Sequence, residues 1–504
     1  MADKEVKGNI PFLTGQILNP EQLGGSEGEQ MKKYLALVLG VIFTLGFAAS
    51  AFAIHAEIPA ETQAVVAKGA TQVTLGGELR FRGEYRHAND LNSNSTPAAS
   101  TDNAANDSIS SYDGRVRIRI QADVSKNTMG VIHLETGSGT TDTYTWGTSG
   151  ETAGVYRGVG NGKKGTLDVL EAWIQHKFNI GVPAGIKVGH MPLKLGDGIF
   201  FNHSKFGDDA IVFFMDPTKE LHIGLLTIKL LENTTSITDD ADAYVALFAY
   251  KGKGFNLSGD VTYVDDKANH ITSAGVANGG TAMSSRDKGT HLINYGLRAD
   301  VKVGNLGLKA DYEMQTGKSD YDTTRTGVND ITFGGKAYVI GANYKVNPAT
   351  LSLEYGSGSG DNDSTDTKNG VFVTAVPNTQ NMTYVYDFRV VSATGLTNTG
   401  IANTTYVKAG VAADLTKDLG VDLNYYVLRA TKNQAGTAMN IAASTDHLSK
   451  KIGSELDAKI TYKLDKNLVY FVEGGYLWTG TFYDSATVVA RDAYAVRHGI
   501  TLSF

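Results

Sequence analysis

The stretch Ala493-Tyr-Ala-Val-Arg-His-Gly-Ile-Thr-Leu-Ser-Phe504 keeps a strict two-residue rhythm. Tyr494, Val496, His498, Ile500, Leu502 and Phe504 fall on one face, and Ala495, Arg497, Gly499, Thr501 and Ser503 on the other. Successive side chains of a β-strand point to opposite sides. The spacing therefore predicts a strand with one oily and one wet surface that stops on an aromatic. The rhythm recurs upstream. Val73, Leu75, Gly77, Leu79, Phe81, Gly83 and Tyr85 alternate with Thr74, Gly76, Glu78, Arg80, Arg82, Glu84 and Arg86. Val116, Ile118, Ile120, Ala122 and Val124 alternate with Arg115, Arg117, Arg119, Gln121 and Asp123. Ser454, Leu456, Ala458, Ile460, Tyr462 and Leu464 alternate with Glu455, Asp457, Lys459, Thr461 and Lys463.

The connections between such strands sort by length. Tight links are read at 126–128, 179–184, 216–219, 251–254, 304–305, 347–349, 416–418 and 465–467. Long polar segments lie near 87–113, 138–165, 196–208, 265–290, 317–333, 357–403, 430–450 and 480–491, with an intermediate link near 232–241. A soluble sandwich has no reason to put its long loops at one end, whereas outer-membrane barrels have short periplasmic turns and long outer loops. The expected fold is all-β: a transmembrane antiparallel β-barrel of eighteen strands over residues 73–504, in the outer membrane of a Gram-negative bacterium. The apolar run 382–391 is placed inside the 357–403 loop, because a nineteenth strand would leave the chain ends on opposite sides of the membrane.

Composition agrees by exclusion. After residue 53 no run is apolar and long enough for a helical span. A barrel strand gives only a weak hydropathy signal, because its two faces alternate. The absence of Cys rules out disulfides, thiolate metal sites and c-type haem attachment. A net charge of −7 with no basic block argues against nucleic acid as a partner. The oily sets carry no Lys or Arg, either of which would cost about 2–4 kcal/mol at the bilayer midplane. Tyr85, Tyr425, Tyr462, Tyr476 and Trp478 supply an aromatic band beside outer-membrane lipid.

At the N-terminus, Met31-Lys-Lys-Tyr opens a basic segment, 35–49 is an apolar core and Ala51-Phe-Ala53 is a small-x-small cleavage site. Residues 31–53 thus read as a secretory signal peptide. Signal peptides begin their chains, so residues 1–30 are expected to be a mis-called upstream extension and 54–72 a periplasmic N-terminal segment.

A chain that stops on an aromatic-tipped strand resembles outer-membrane barrels whose last strand is read by the barrel assembly machinery. That resemblance makes Phe504 the candidate assembly signal. The stretch Ile186-Lys-Val-Gly-His-Met-Pro-Leu-Lys-Leu-Gly-Asp-Gly-Ile-Phe200, with Gly356-Ser-Gly-Ser-Gly-Asp-Asn-Asp363 and Ile452-Gly-Ser-Glu-Leu-Asp457, resembles the alginate-export family of eighteen-stranded channels. It is closer still to porins of that type in Geobacter-like metal-reducing bacteria. The resemblance implies a monomeric passive channel. It does not imply alginate as substrate, since no polysaccharide-specific set is matched residue by residue.

In such a barrel, function rests on residues that line the water-filled lumen. Arg80, Arg82, Arg86, Arg115, Arg117 and Arg119 share the wet face of two adjacent strands, and Arg497 on the closing strand is expected beside them. Arginine offers a permanently charged donor fork suited to carboxylates and phosphates. Glu78, Glu84 and Asp123 interleave with this ladder, while Glu135 and Glu171 belong to the following strands. The ladder suits small anions; equally, the ions brace the wall by pairing with each other. The far wall carries Arg298, Asp300, Lys302, Lys309, Asp311 and Glu313, then Glu455, Asp457, Lys459 and Glu473.

Asp197, Asp208 and Asp209, in a Gly- and Phe-rich stretch, are candidates for a loop that folds inward as a constriction. Asp361, Asp363 and Asp366 are hard oxygen donors compatible with Ca²⁺, but the full EF-hand pattern and its distal Glu are missing. A solvated acidic loop is the plainer reading, and no other cofactor is expected. No nucleophile elbow, phosphate-binding loop or His ligand spacing is present, so no enzymatic role is expected. Two functions compete: a diffusion channel for small hydrophilic, anionic solutes, and a barrel that sheathes an outer-membrane or periplasmic multihaem cytochrome for trans-membrane electron transfer.

Overall fold

The computed structural model describes residues 64–67, 71–87, 108–137, 143–146, 166–268, 271, 289–320, 330–362, 366–376, 382–387, 400–433, 449–482, 484 and 490–504. The upstream extension, the signal peptide and most of 54–72 lie outside them. Eighteen long strands follow in chain order. They are β1 Gln72–His87, β2 Ser108–Asp123, β3 Thr128–Gly137, β4 Thr166–Asn179, β5 Pro183–Met191 and β6 Asp208–Met215. Then come β7 Leu221–Leu231, β8 Ala241–Gly252, β9 Phe255–Asp266, β10 Gly289–Val303, β11 Leu306–Asp320 and β12 Lys336–Val346. The last six are β13 Ala349–Gly358, β14 Thr404–Asp414, β15 Leu419–Ala430, β16 Lys451–Asp465, β17 Leu468–Thr479 and β18 Ala493–Ser503.

Each strand pairs antiparallel with the next, and β1 pairs with β18 from Glu78↔Ser503 to His87↔Tyr494. The sheet closes on itself, which removes both edges. Where β18 ends, Ala64–Ala67 takes over its edge against Val73–Leu75. Side-chain exposure follows the two-residue rhythm: Ile174, Leu225, Leu297, Leu353, Val407 and Val496 point outward, as do Tyr85, Tyr425, Tyr462, Tyr476 and Trp478. The aromatics cluster, with Tyr476 4.8 Å from Trp478 and 6.0 Å from Tyr494 between ring centroids.

Several strands run further into the loops than hydropathy suggests. β2 begins at Ser108, so Asp113 belongs to a strand and not to a loop, and β11 continues to Asp320. These extensions are mostly polar, with Ile109 and Tyr112 as exceptions, which suits strand ends standing clear of lipid. Short strands within the loops extend the sheet in the same way: Tyr144–Thr145 on β2, and Ile331–Phe333 on β11.

Closure depends on one missing side chain. Gly77 and Phe504 exchange both backbone hydrogen bonds, and the Phe504 ring lies over Gly77: a Cβ there would stand 2.4 Å from its Cζ. Gly77→Val is therefore expected to push Phe504 off the seam and reduce the fraction of folded, heat-modifiable barrel seen on SDS gels; an unchanged fraction would remove this role.

The apolar core lies inside the barrel. Leu195, Ile199, Phe200 and Phe201 from the β5–β6 loop are buried there with Phe372, Val373, Tyr384 and Val385 from the β13–β14 loop. Two extracellular-end loops have turned into the lumen.

Candidate lumen wall and constriction

The arginine ladder forms on β1, β2 and β18 because alternation sends every second residue inward and adjacent strands hold them in register. Glu78 lies opposite Arg117, Arg80 opposite Arg115, Arg82 opposite Asp113 and Glu84 opposite Arg497. Nearly every cation finds a carboxylate. Arg115 donates to Glu78 at 2.6 and 2.8 Å, Arg117 pairs with Glu135 at 2.5 Å, and Arg82 donates to Asp113 at 2.9 Å. Arg86 lies 2.8 Å from Glu84, and Arg119 lies 3.9 Å from Glu171, which also bonds His133 and the Trp173 indole. Arg497 binds Glu473 through two nitrogens and stands 3.9 Å from Glu84. Asp123, at the short-turn end, accepts from Gln121. Wall-bracing by ion pairs is thus built in.

The opposite wall is richer in acid. Arg298 on β10 reaches Asp260 at 2.5 Å, Asp311 at 3.1 Å and Glu313, all buried. Asp300, next along that inward face, lies across from Lys309. Glu455 and Asp457 on β16 are fully buried, but with Lys459 and Glu473 they do not belong to the far wall as expected: β16 and β17 are separated from β1 only by β18, and Glu473 pairs with Arg497.

The loops cover these acids. Gly196, at φ 53°, brings backbone onto the Arg298 guanidinium so closely that any Cβ would collide with it. The Asp197 N–H donates to Asp311 at 3.3 Å, and the Asp197 carboxylate lies 3.4 Å from Lys309. From the other loop, Gln315 on β11 exchanges hydrogen bonds with the backbone of Val373 at 2.6 and 2.9 Å. Further along it, the backbone N–H of Tyr384 donates to Asp457 at 3.0 Å, and those of Val385 and Tyr386 donate to Glu455 at 2.5 and 2.8 Å. Arg497 stacks 5.7 Å from the Tyr384 ring. The two loops meet where the Ala375 N–H donates to the Phe200 carbonyl at 3.0 Å.

Of the three constriction candidates, Asp197 enters the lumen and Asp208 is buried against His203 at 2.7 Å. Asp209 does not. Its side chain is 73% exposed beside His190 on the outward face of β6, because it is one residue out of step with Asp208. In the acidic loop, Asp361 accepts from the Gly370 N–H and Asp366 from the Lys368 N–H, while Asp363 lies outside the described residues. Among the described residues no three acidic or His groups converge on one metal position.

Asp113, Asp260 and the strap 382–387 escaped the sequence-based site. Asp260 was legible in the alternation of β9. The strap was legible only as an apolar run within a polar loop.

Comparison places this architecture. Residues 251–497 match the family model described as Alginate export. Sequence comparison with characterised proteins gives no match. Among solved structures, Pseudomonas aeruginosa OccK9 (OpdG) aligns at a TM-score of 0.51 and 12% identity, covering 86% of this chain and 98% of that one. P. aeruginosa OprD aligns at 0.48 and 10%, covering 86% and 93%. The chain is an eighteen-stranded outer-membrane β-barrel of porin fold that resembles the alginate-export family.

Proposed function

We propose that the barrel is a passive diffusion channel for small hydrophilic, anionic solutes. The observation that carries this is the imbalance of accessible charge. The buried acids around Arg298 and on β16 are covered by the segments around Gly196 and Tyr384, whereas a cavity of about 540 Å³ opens between β16 and β1. Arg82, Lys459, Lys463 and Lys466 keep exposed surface in it against Asp465, while Arg80, Arg115, Arg497, Glu78 and Glu473 line it as buried groups. In a narrow, low-dielectric-walled space, one sign of accessible charge concentrates the opposite ion. Selection then comes from lumen width and charge, without energy input.

Reconstituted alone in planar bilayers, the protein should show nanosiemens-scale conductance and a reversal potential on the anion side in a KCl gradient. A silent barrel, or one that favours potassium, ends the proposal. Replacing Arg82 and Arg117 together with Ser leaves Asp113 without its partner and Glu135 with only the more distant Arg115 at 3.9 Å. The reversal potential should shift toward cation preference; if it does not move, those arginines only brace the wall. Solute swelling in liposomes would then identify the solutes that pass. The cytochrome sheath needs an open bore, and Phe372, Val373, Tyr384 and Val385 stand in that space. A silent barrel that co-purifies with a haem protein would favour it nonetheless.

A further inference from the structure

We infer that the cavity between β16, β17, β18 and β1 is a binding subsite for small organic anions with a planar apolar body, an aromatic sulfonate or carboxylate being the simplest case. The inference rests on the anion-channel reading and narrows its substrate class.

Two apolar side chains stand in this charged wall. Inward alternation on β17 places Val469 and Phe471 just below Glu473. The register then sets what flanks them. Arg82 lies across from Gly499, Gly499 across from Phe471, and Phe471 across from Thr461. One step toward the periplasm, Arg80, Thr501, Val469 and Lys463 form the parallel row. Gly499 has no side chain, so the Phe471 ring lies across it toward Arg82; a Cβ at 499 would stand 2.7 Å from Phe471 Cζ. On the other side, Lys459 Nζ stands 5.8 Å from the ring centroid. The apolar pair is thus bracketed by Arg80 and Arg82 on one side and by Lys459 and Lys463 on the other.

A hydrated inorganic ion gains nothing from Val469 and Phe471. A planar organic anion does: its ring stacks on Phe471 while its head reaches the flanking cations. At about 540 Å³ the cavity lies within the size range of small-molecule sites, roughly 300–1,000 Å³.

The test titrates chloride current through the full-length protein in planar bilayers with benzenesulfonate or methanesulfonate, both charged at every working pH. Benzenesulfonate should inhibit at a concentration about fivefold lower than methanesulfonate, the scale of one ring–ring contact. Phe471→Ala should bring the two concentrations together. If Phe471→Ala does not assemble, Phe471→Leu, which keeps an apolar filler without the ring, should narrow the gap. Equal inhibition by both sulfonates in the unaltered protein overturns the subsite while leaving anion preference intact. Absence of anion preference in KCl overturns the parent reading instead. A benzenesulfonate advantage that survives loss of the ring also refutes the assignment.

Discussion

Replacing Glu455 and Asp457 together with Ala will release the strap around Tyr384 from the wall and raise single-channel conductance. The strap is held by three backbone N–H groups that donate to these two buried carboxyls. A hydrogen bond contributes about 1 kcal/mol net. Losing three is enough to shift a docked segment by about a hundredfold in population. The barrel ladder does not depend on them, so heat-modifiability on SDS gels should stay unchanged; an unchanged conductance would show that the strap does not limit the pore.

The same strap carries a pH dependence of known sign. Asp387 accepts the Met382 N–H at 2.7 Å, and burial, with Glu455 nearby, pushes its carboxyl up to about 7. A free aspartate titrates near 3.9. The docked strap therefore holds this proton more tightly than a released one, so docking weakens as pH rises above the free value and the loss is complete above the docked value. Conductance should rise between pH 5 and pH 9. Asp387→Asn should shrink that rise, and a rise of unchanged size would assign it to another group.

The second large effect is expected at Arg298. Arg298→Leu leaves Asp260, Asp311 and Glu313 facing one another in a buried site without their cation. Removing one partner of a buried ionic network costs about 3–5 kcal/mol. The thermal transition in detergent should fall by about 3–6 °C, given the large unfolding entropy of a barrel of this size. Adding Asp311→Asn and Glu313→Gln should recover most of the loss, because the uncompensated charge goes with them. A melt that Arg298→Leu leaves unmoved would mean water or local rearrangement already satisfies those carboxyls.

The barrel itself was readable because alternation is a local property. From Val73 onward each side chain's face follows from its parity, and a run such as Arg115, Arg117, Arg119 needs no tertiary information to be assigned inward. The strand count followed from loop lengths and from keeping the 382–391 run out of the wall. Polar strand ends such as Ser108–Asp113 were not readable, because above the lipid neither face needs to be oily and the hydropathy signal vanishes.

Sequence by itself determined a cylinder, oily outside and charged within, closed by β1 and β18, since a two-residue period fixes which groups must meet lipid and which water. Only the tertiary structure decided which of the charges remain accessible. Register across neighbouring strands gave Arg115 to Glu78 and Arg117 to Glu135, and placed three carboxylates around Arg298. The folding-in of two loops, distant in sequence, then covered the acids around Arg298 and on β16 and left Lys459, Lys463 and Lys466 with exposed surface near the short turns. Pairing and coverage depend on groups far apart along the chain, and no local pattern encodes that separation.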